Sequence, residues 1–174
     1  MGGNQRFPVF QLSSAEDSQP PKTIFEAAER GNAAYITHMM ERTIEFDINQ
    51  QDSFQRTALH WAAEMGHVNV ASVLKDYGIN VGATECNGRT AIHLAARAGN
   101  AKMLATLLED LDAPTVEVLV NQADNFGITP VFLTQQKGEE GREAFELLMS
   151  NGARWNDMSI TGSKQMTAAS PTAV

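Results

Sequence analysis

The sequence predicts an all-α solenoid of about four stacked helix-turn-helix repeats with β-hairpin-like fingers. One observation is an internal repeat, because the segment TALHWAAEMGH at 57–67 returns 33 residues later as TAIHLAARAGN at 90–100. A second is the helical spacing of apolar residues around each repeated glycine. A third is the set of Asn-, Asp- and Gly-rich turns between the helix pairs, a composition that favours tight hairpin turns. Since one short helix pair cannot bury its apolar side alone, stacked copies are expected to form the core.

The repeat divides the chain into a central array with a tail at each end. Weaker copies flank the two strong ones, with IFEAAERGN at 24–32 before them and TPVFL at 129–133 after them. The array is predicted over 23–157, with copies near 23–51, 52–84, 85–123 and 124–157. The tails, 1–22 and 158–174, have little to bury and are expected to be flexible or ordered only by a partner.

The helices of each copy are predicted from end signals and apolar spacing. In the second copy, Thr57 precedes an alanine-rich first helix that Gly66 ends, and a second helix closes at Gly78. Apolar residues at helical spacing mark the second helix of each copy: Ile36, Met39 and Met40; Val68, Val70, Val73 and Leu74; Met103, Leu104, Leu107 and Leu108; and Phe145, Leu147, Leu148 and Met149.

Three segments depart from the repeat. Gln55 stands where the other fingers have glycine, so a distorted turn is expected there. An insertion at 110–117 is expected to lengthen a helix end or a loop opposite the fingers, with Pro114 breaking any continuous helix. In the last copy Phe132 replaces the repeated histidine, and GEEG at 138–141 stretches the turn between the helices by two residues, as in a degenerate terminal cap.

The repeated motif resembles that of the ankyrin family, whose signature is Thr-Pro-Leu-His-x-Ala in a period of about 33 residues. Two copies carry Thr-Ala-Leu/Ile-His-x-Ala-Ala-x-x-Gly, and the resemblance covers most of the chain, roughly 23–157. It implies that the repeated histidine hydrogen-bonds within the repeat framework, and that protein partners are held by the finger tips and first helices. The framework positions that it implies are Thr57, His60, Gly66, Thr90, His93, Gly99, Thr129 and Pro130.

Composition limits the classes of partner. Thirteen Lys and Arg against twenty-one Asp and Glu give a formal net charge of −8 and a pI near 4.9. This charge disfavours nucleic acid and anionic membranes, whose binding proteins need basic surfaces. No apolar stretch approaches the length of a membrane span, and Cys86, the only cysteine, excludes an internal disulfide. We therefore expect a cytoplasmic protein that does not insert into membranes.

The sequence lacks the motifs of common enzyme and metal sites. It has no His-Glu-x-x-His or paired Cys-x-x-Cys arrangement for zinc, and no Gly-x-Ser-x-Gly elbow, phosphate loop or dinucleotide fingerprint. His60 and His93 are separated by one repeat period, which favours a framework role over catalysis or metal binding. The expectation is a non-enzymatic protein with no catalytic residues, metal or cofactor.

The positive prediction is a protein-binding face on the fingers and the exposed side of the first helices. The resemblance assigns to it Phe54, Arg56, Met65, Asn87, Arg89, Arg97, Asn125, Phe126 and Lys137. Phe54 and Phe126 occupy the same finger position, and they either anchor a partner or fold back on a neighbouring copy. The cations indicate a partner with an acidic segment, or else they serve the repeat framework.

Two functions are compatible with such a face. The first is an adaptor or a subunit of a larger protein complex, and the alternative is a regulatory or targeting subunit that inhibits or positions a partner enzyme. An enzyme in its own right is a third hypothesis, which a bound cofactor or a deep polar pocket would support. A second contact is predicted at the end of the chain, where Thr172, Ala173 and Val174 resemble a PDZ-domain ligand.

Overall fold

The computed structural model describes residues 19–42 and 46–155, and the regular structure within these ranges is entirely helical. Four helix pairs follow one another: α1 (Ile24–Glu29) and α2 (Ala33–Arg42), α3 (Ala58–Met65) and α4 (Val68–Asp76), α5 (Ala91–Ala98) and α6 (Ala101–Leu108), and α8 (Pro130–Leu133) and α9 (Arg142–Ser150). First helices stack in one layer, in the order α1, α3, α5, α8, and second helices in another, in the order α2, α4, α6, α9. The predicted all-α solenoid of stacked helix pairs is confirmed.

Small side chains allow the first helices to approach one another closely. The alanines shared by α3 and α5 are fully buried: Ala58, Ala62, Ala63, Ala91, Ala95 and Ala96. The two helices end at glycines in the left-handed region, with φ of 79° at Gly66 and 69° at Gly99, which turns the chain into the second helix. The second helices supply larger core side chains such as Leu74, Met103 and Leu104.

The two repeated histidines link each repeat to the finger of the next one. Because a backbone N–H can only donate, Nδ1 of His60 accepts the bond from Thr57 N–H at 3.1 Å, and Nε2 donates to the Arg89 carbonyl at 3.0 Å. His93 makes the same bonds to Thr90, at 3.1 Å, and to the Ile128 carbonyl, at 3.2 Å. Burial lowers the pKa of His60 below 6.5 and that of His93 from 6.5 to about 4, so both rings are neutral at neutral pH.

The insertion forms a separate helix, α7 (Ala113–Asn121), rather than the lengthened helix end or loop that the sequence predicts. Asp112 caps it by accepting the Thr115 N–H at 3.3 Å and the Thr115 hydroxyl at 2.6 Å. Pro114 is the second residue of α7, in the first turn, where a missing N–H costs nothing because no intrahelical acceptor is available. The proline therefore helps to start this helix.

The last copy is irregular, as the sequence predicts. Its first helix, α8, is only four residues long and runs into a 3₁₀ segment, Thr134–Gly141. Phe132 takes the place of the histidine, so the buried Thr129 hydroxyl has no hydrogen-bond partner among the described residues. The Phe132 ring instead stacks on Trp155 with ring centroids 4.7 Å apart, and Phe145 meets Trp155 edge-on at 5.2 Å. An aromatic cluster thus covers this end of the described array.

The finger turn at Gln55 has the same hydrogen bonds as its glycine-containing counterparts, so the distortion predicted from the sequence is not observed. Gln55 N–H donates to the Asp52 carbonyl at 2.9 Å, as Gly88 N–H does to Glu85 at 2.8 Å. The undistorted turn places Gln55 at φ 60°, a left-handed conformation that costs a residue with a Cβ about 1–2 kcal/mol.

Replacing Gln55 by glycine is expected to stabilise the array by about 0.5–1 kcal/mol, because relief of this strain exceeds the entropy that glycine adds to the unfolded chain. The urea midpoint of unfolding measures the effect. Gln50→Gly is the matched control, since Gln50 has no positive φ and the same substitution is expected to lower the midpoint. A lower midpoint for Gln55→Gly would contradict the interpretation.

Candidate protein-binding face

Each finger is built around one acidic residue that lies five positions before the repeated threonine. Asp52 Oδ1 accepts the N–H groups of Phe54 and Arg56 at 2.8 and 2.9 Å. Asp124 Oδ1 accepts those of Phe126 and Ile128, both at 2.9 Å. Sequence reasoning missed these carboxylates, although their fixed distance from the threonine is visible in the sequence. They hold the residue at each tip in a defined place.

The fingers are also bonded to one another along the array. Cys86 N–H donates to the Phe54 carbonyl at 3.1 Å, and Asn125 N–H donates to the Asn87 carbonyl at 2.9 Å. The Asn125 side chain adds a bond from Nδ2 to the Cys86 carbonyl at 3.1 Å. Phe54, Asn87 and Phe126, which we call the finger tips, therefore form one fixed row.

The two phenylalanines of this row face solvent. Phe54 is 58% exposed and Phe126 68% exposed, so neither folds back on a neighbouring copy. Asn87 and Asn125 are exposed beside them. Exposed aromatic side chains on a surface held by backbone hydrogen bonds are the type that anchors protein interfaces.

Met65 and Lys137 lie away from the tips, at the far ends of the first helices. Met65 is the last residue of α3 and is 46% exposed. Lys137 is exposed in the 3₁₀ segment and lies next to Gly99, at the end of α5. A Cβ placed on Gly99 would be 3.3 Å from the Cγ atom of Lys137. These two predicted residues border the face.

The predicted arginines are engaged with carboxylates inside the fold. Arg56 and Arg97 both donate to Glu64, at 2.6 and 2.5 Å. The Arg56 guanidinium also lies 4.8 Å from the centroid of the Trp61 ring, whose Nε1 donates to Asp52 at 2.9 Å. Asp52, Arg56, Trp61, Glu64 and Arg97 form what we call the floor cluster, in which two cations meet two anions.

Arg89 is paired in the same way, but with a buried partner. Its Nε donates at 2.9 Å to Oδ2 of Asp124, whose side chain is fully buried. Burial raises the pKa of Asp124, but the hydrogen bonds from Ile128, Arg89 and Phe126 outweigh it and hold the pKa below 3.8. This pair joins the middle finger, 85–89, to the last finger, 124–128. Arg89 therefore serves the repeat framework, which is one of the two roles predicted for it.

Cys86 is exposed on the middle finger. Its thiol donates to the Glu85 carboxylate at 3.2 Å, and this hydrogen bond is the main reason that its pKa is raised above 9.0. Because the thiolate is the reactive form, the neighbouring carboxylate disfavours reactivity.

Within residues 19–42 and 46–155, each helix is too short or too polar to cross a bilayer. In the same ranges, no three His, Cys, Asp or Glu side chains converge in a manner that could hold a metal ion. The predicted PDZ ligand, Thr172, Ala173 and Val174, lies outside the described residues, as do the C-terminal tail and most of the N-terminal tail.

Comparison with known proteins agrees with the repeat geometry. A family model described as Ankyrin repeats (3 copies) matches residues 24–115. Alpha-latrotoxin-Lg1a of Latrodectus geometricus is 32% identical over 126 residues, which are 71% of this chain and 9% of that protein. Inversin of Mus musculus is 34% identical over 92 residues, 53% of this chain and 9% of inversin. Palmitoyltransferase ZDHHC17 of Homo sapiens is 36% identical over 83 residues, 44% of this chain and 13% of that enzyme.

The chain thus spans only about a tenth of the length of these relatives, so the similarity concerns their repeat regions. Ankyrin repeats are in general protein-protein interaction modules, and they are typically non-catalytic. The family match covers more than half of the chain, and the helix pairs, left-handed glycines and bridging histidines have the expected arrangement. This chain belongs to the ankyrin-repeat family.

Proposed function

We propose that this chain is a non-enzymatic adaptor or a subunit of a larger protein complex, and that it holds its partner on the fingers and the concave face. The observation that carries the proposal is the pair of exposed phenylalanines at equivalent tips of fingers that are fixed by carboxylates and by one another. Fixed aromatic side chains lose little entropy on binding, so they contribute more affinity than mobile ones.

The partner-binding residues in this proposal are the predicted nine, ranked by the charge and exposure that they retain. Phe54 and Phe126 lead because each is more than half exposed. Arg56, Arg89 and Arg97 rank below them because internal carboxylates already compensate their charge. Lys137 forms no ion pair with the described residues, but it lies at the border of the face, away from the finger tips.

We also propose a cytoplasmic location. The single cysteine is free and exposed, which suits a compartment that keeps thiols reduced. The alternative role, a regulatory or targeting subunit of an enzyme, uses the same face, and a retained partner whose turnover changes on binding would favour it.

The double variant Phe54→Ala, Phe126→Ala is expected to keep its helical content and to lose its partner. Both side chains are more than half exposed, so the free energy of unfolding is expected to change by less than about 1 kcal/mol. Truncation of two interface anchors costs about 2 kcal/mol or more each in binding free energy. The measurements are the circular dichroism spectrum and affinity capture from an extract of the source cells, with mass spectrometry of the bound proteins.

Val118→Ala is the matched control for this experiment. Val118 lies on α7, away from the fingers, and is 67% exposed, as Phe126 is. A protein that binds the unaltered chain and the control but not the double variant would support the proposed face. Equal retention of the bound protein by the unaltered chain, the control and the double variant would contradict the proposed face.

A further inference from the structure

We infer that the finger row binds an extended, uncharged segment of the partner with two apolar side chains six positions apart, one for each phenylalanine. This inference rests on the proposed function and specifies the chemistry of the partner. It combines two properties of the face, the distance between its anchors and its charge.

The distance follows from the stacking. Phe54 and Phe126 occupy equivalent tips on fingers two repeats apart, and the first helices α3, α5 and α8 beneath them pack directly on one another. Packed helices lie about 8–10 Å apart, so two repeats separate the tips by about 16–20 Å. An extended chain advances about 3.3 Å per residue, and its successive side chains point to opposite faces, so two side chains on one face are an even number of residues apart. A separation of six residues, about 20 Å, therefore spans this distance with both side chains towards the row.

The middle finger determines what lies between the anchors. Its tip residue is Asn87, and Cys86 precedes it, so the finger presents small polar side chains where its neighbours present phenylalanine. Backbone hydrogen bonds from Cys86 to Phe54 and from Asn125 to Asn87 keep this polar tip in line with the aromatic ones. A segment along the row meets apolar, polar and apolar contacts in turn.

The charge of the face disfavours an acidic segment. Arg56 and Arg97 pair with Glu64, and Arg89 pairs with Asp124. Asp52, which accepts the Arg56 N–H, is a third carboxylate, so the three arginines are balanced by an equal number of carboxylates. One further carboxylate, Glu85, is buried at the base of the middle finger, and among the described residues it accepts hydrogen bonds from Cys86 and from the backbone and amide of Asn87. The side-chain charge next to the row is thus slightly negative, which repels Asp and Glu in the bound segment.

A library of random peptides of about twelve residues, displayed on phage and selected on the purified full chain, tests the inference. The enriched peptides are expected to share two apolar residues six positions apart, with Asp and Glu depleted between them. A synthetic peptide of the consensus sequence is expected to bind about tenfold or more weakly to Phe54→Ala and to Phe126→Ala, and unchanged to Val118→Ala. Shortening its spacer by three residues is expected to weaken binding by a similar factor.

The salt dependence of binding distinguishes an uncharged bound segment from an acidic one. Because the contacts are apolar, the dissociation constant is expected to change by less than about threefold between about 50 and about 500 mM KCl. A consensus rich in Asp and Glu with strongly salt-dependent binding would overturn the uncharged segment while leaving the face in place. Selected peptides that need only one phenylalanine, or a selection that yields no consensus, would overturn the two-anchor segment. Peptides that bind equally well to the double variant would contradict both the inference and the proposed function.

Discussion

Lowering the pH from about 7.5 to about 4.5 is expected to cost the array about 2–3 kcal/mol of unfolding free energy through His93 alone, with a further loss of the same sign through His60. Burial holds the pKa of His93 at about 4, against 6.5 for a free imidazole, because protonation would charge a ring that is shielded from water. The bond from its Nε2 to the Ile128 carbonyl favours the charged form but does not offset burial.

The direction in which pH changes the unfolding free energy follows from proton binding. Between pH 6.5 and about 4 the imidazole of the unfolded chain takes up a proton and the folded one does not, so acid favours unfolding. The stabilisation is complete above pH 6.5 and is lost as the pH falls towards 4. Asp124, whose pKa lies below 3.8, adds its own loss only at lower pH, so the two effects separate.

Urea unfolding at a series of pH values measures the loss. His93→Gln is expected to be less stable than the unaltered chain at neutral pH but to vary less between about pH 6.5 and 4.5, because the titrating ring is gone. His38→Gln is the control for the substitution itself, since His38 is an exposed ring on α2, where the change is expected to alter the unfolding free energy by less than about 0.5 kcal/mol. If the unaltered chain were equally stable at about pH 6.5 and pH 4.5, the expected loss through the histidines would be contradicted.

The sequence predicts the stacked helix pairs because the same local pattern of residues recurs in several copies. The threonine, histidine and glycine of one copy reappear 33 residues later, and equal spacing in two copies identifies His60 and His93 as framework residues. The equivalent finger positions of Phe54 and Phe126 also follow from the repeat, whereas their exposure is found only in the structure. Whatever recurs in every copy can be predicted from its period.

Features that occur once, or that depend on pairing across copies, cannot be predicted in this way. The inserted helix α7 has no second copy, and Pro114 suggests a break until the Asp112 cap places it in a first turn. Arg89 and Asp124 are 35 residues apart, so their pairing depends on how two fingers meet. The charges of Arg56 and Arg97 are visible in the sequence, but their pairing with one carboxylate, Glu64, is not.

Replacing Asp124 by alanine is expected to destabilise the array by about 3–5 kcal/mol, because the change leaves the half-buried Arg89 without its carboxylate. The N–H groups of Phe126 and Ile128 lose their acceptor in the same step. Asp124→Asn keeps an oxygen for these two N–H groups but presents an amide to the arginine, so a smaller loss is expected. The urea midpoint gives the global effect, and amide hydrogen exchange at Phe126 and Ile128 reports the finger itself.

The control is Glu146→Ala, which removes an ion pair of similar length that lies in solvent. Arg142 and Glu146 are 3.0 Å apart with side chains 72% and 63% exposed, so their loss is expected to cost less than about 1 kcal/mol. If Asp124→Ala were as mild as this control, Asp124 would not be holding the last finger. If it is as costly as expected, faster exchange at Phe126 than in α5 would show that the aromatic tip depends on the buried carboxylate beneath it.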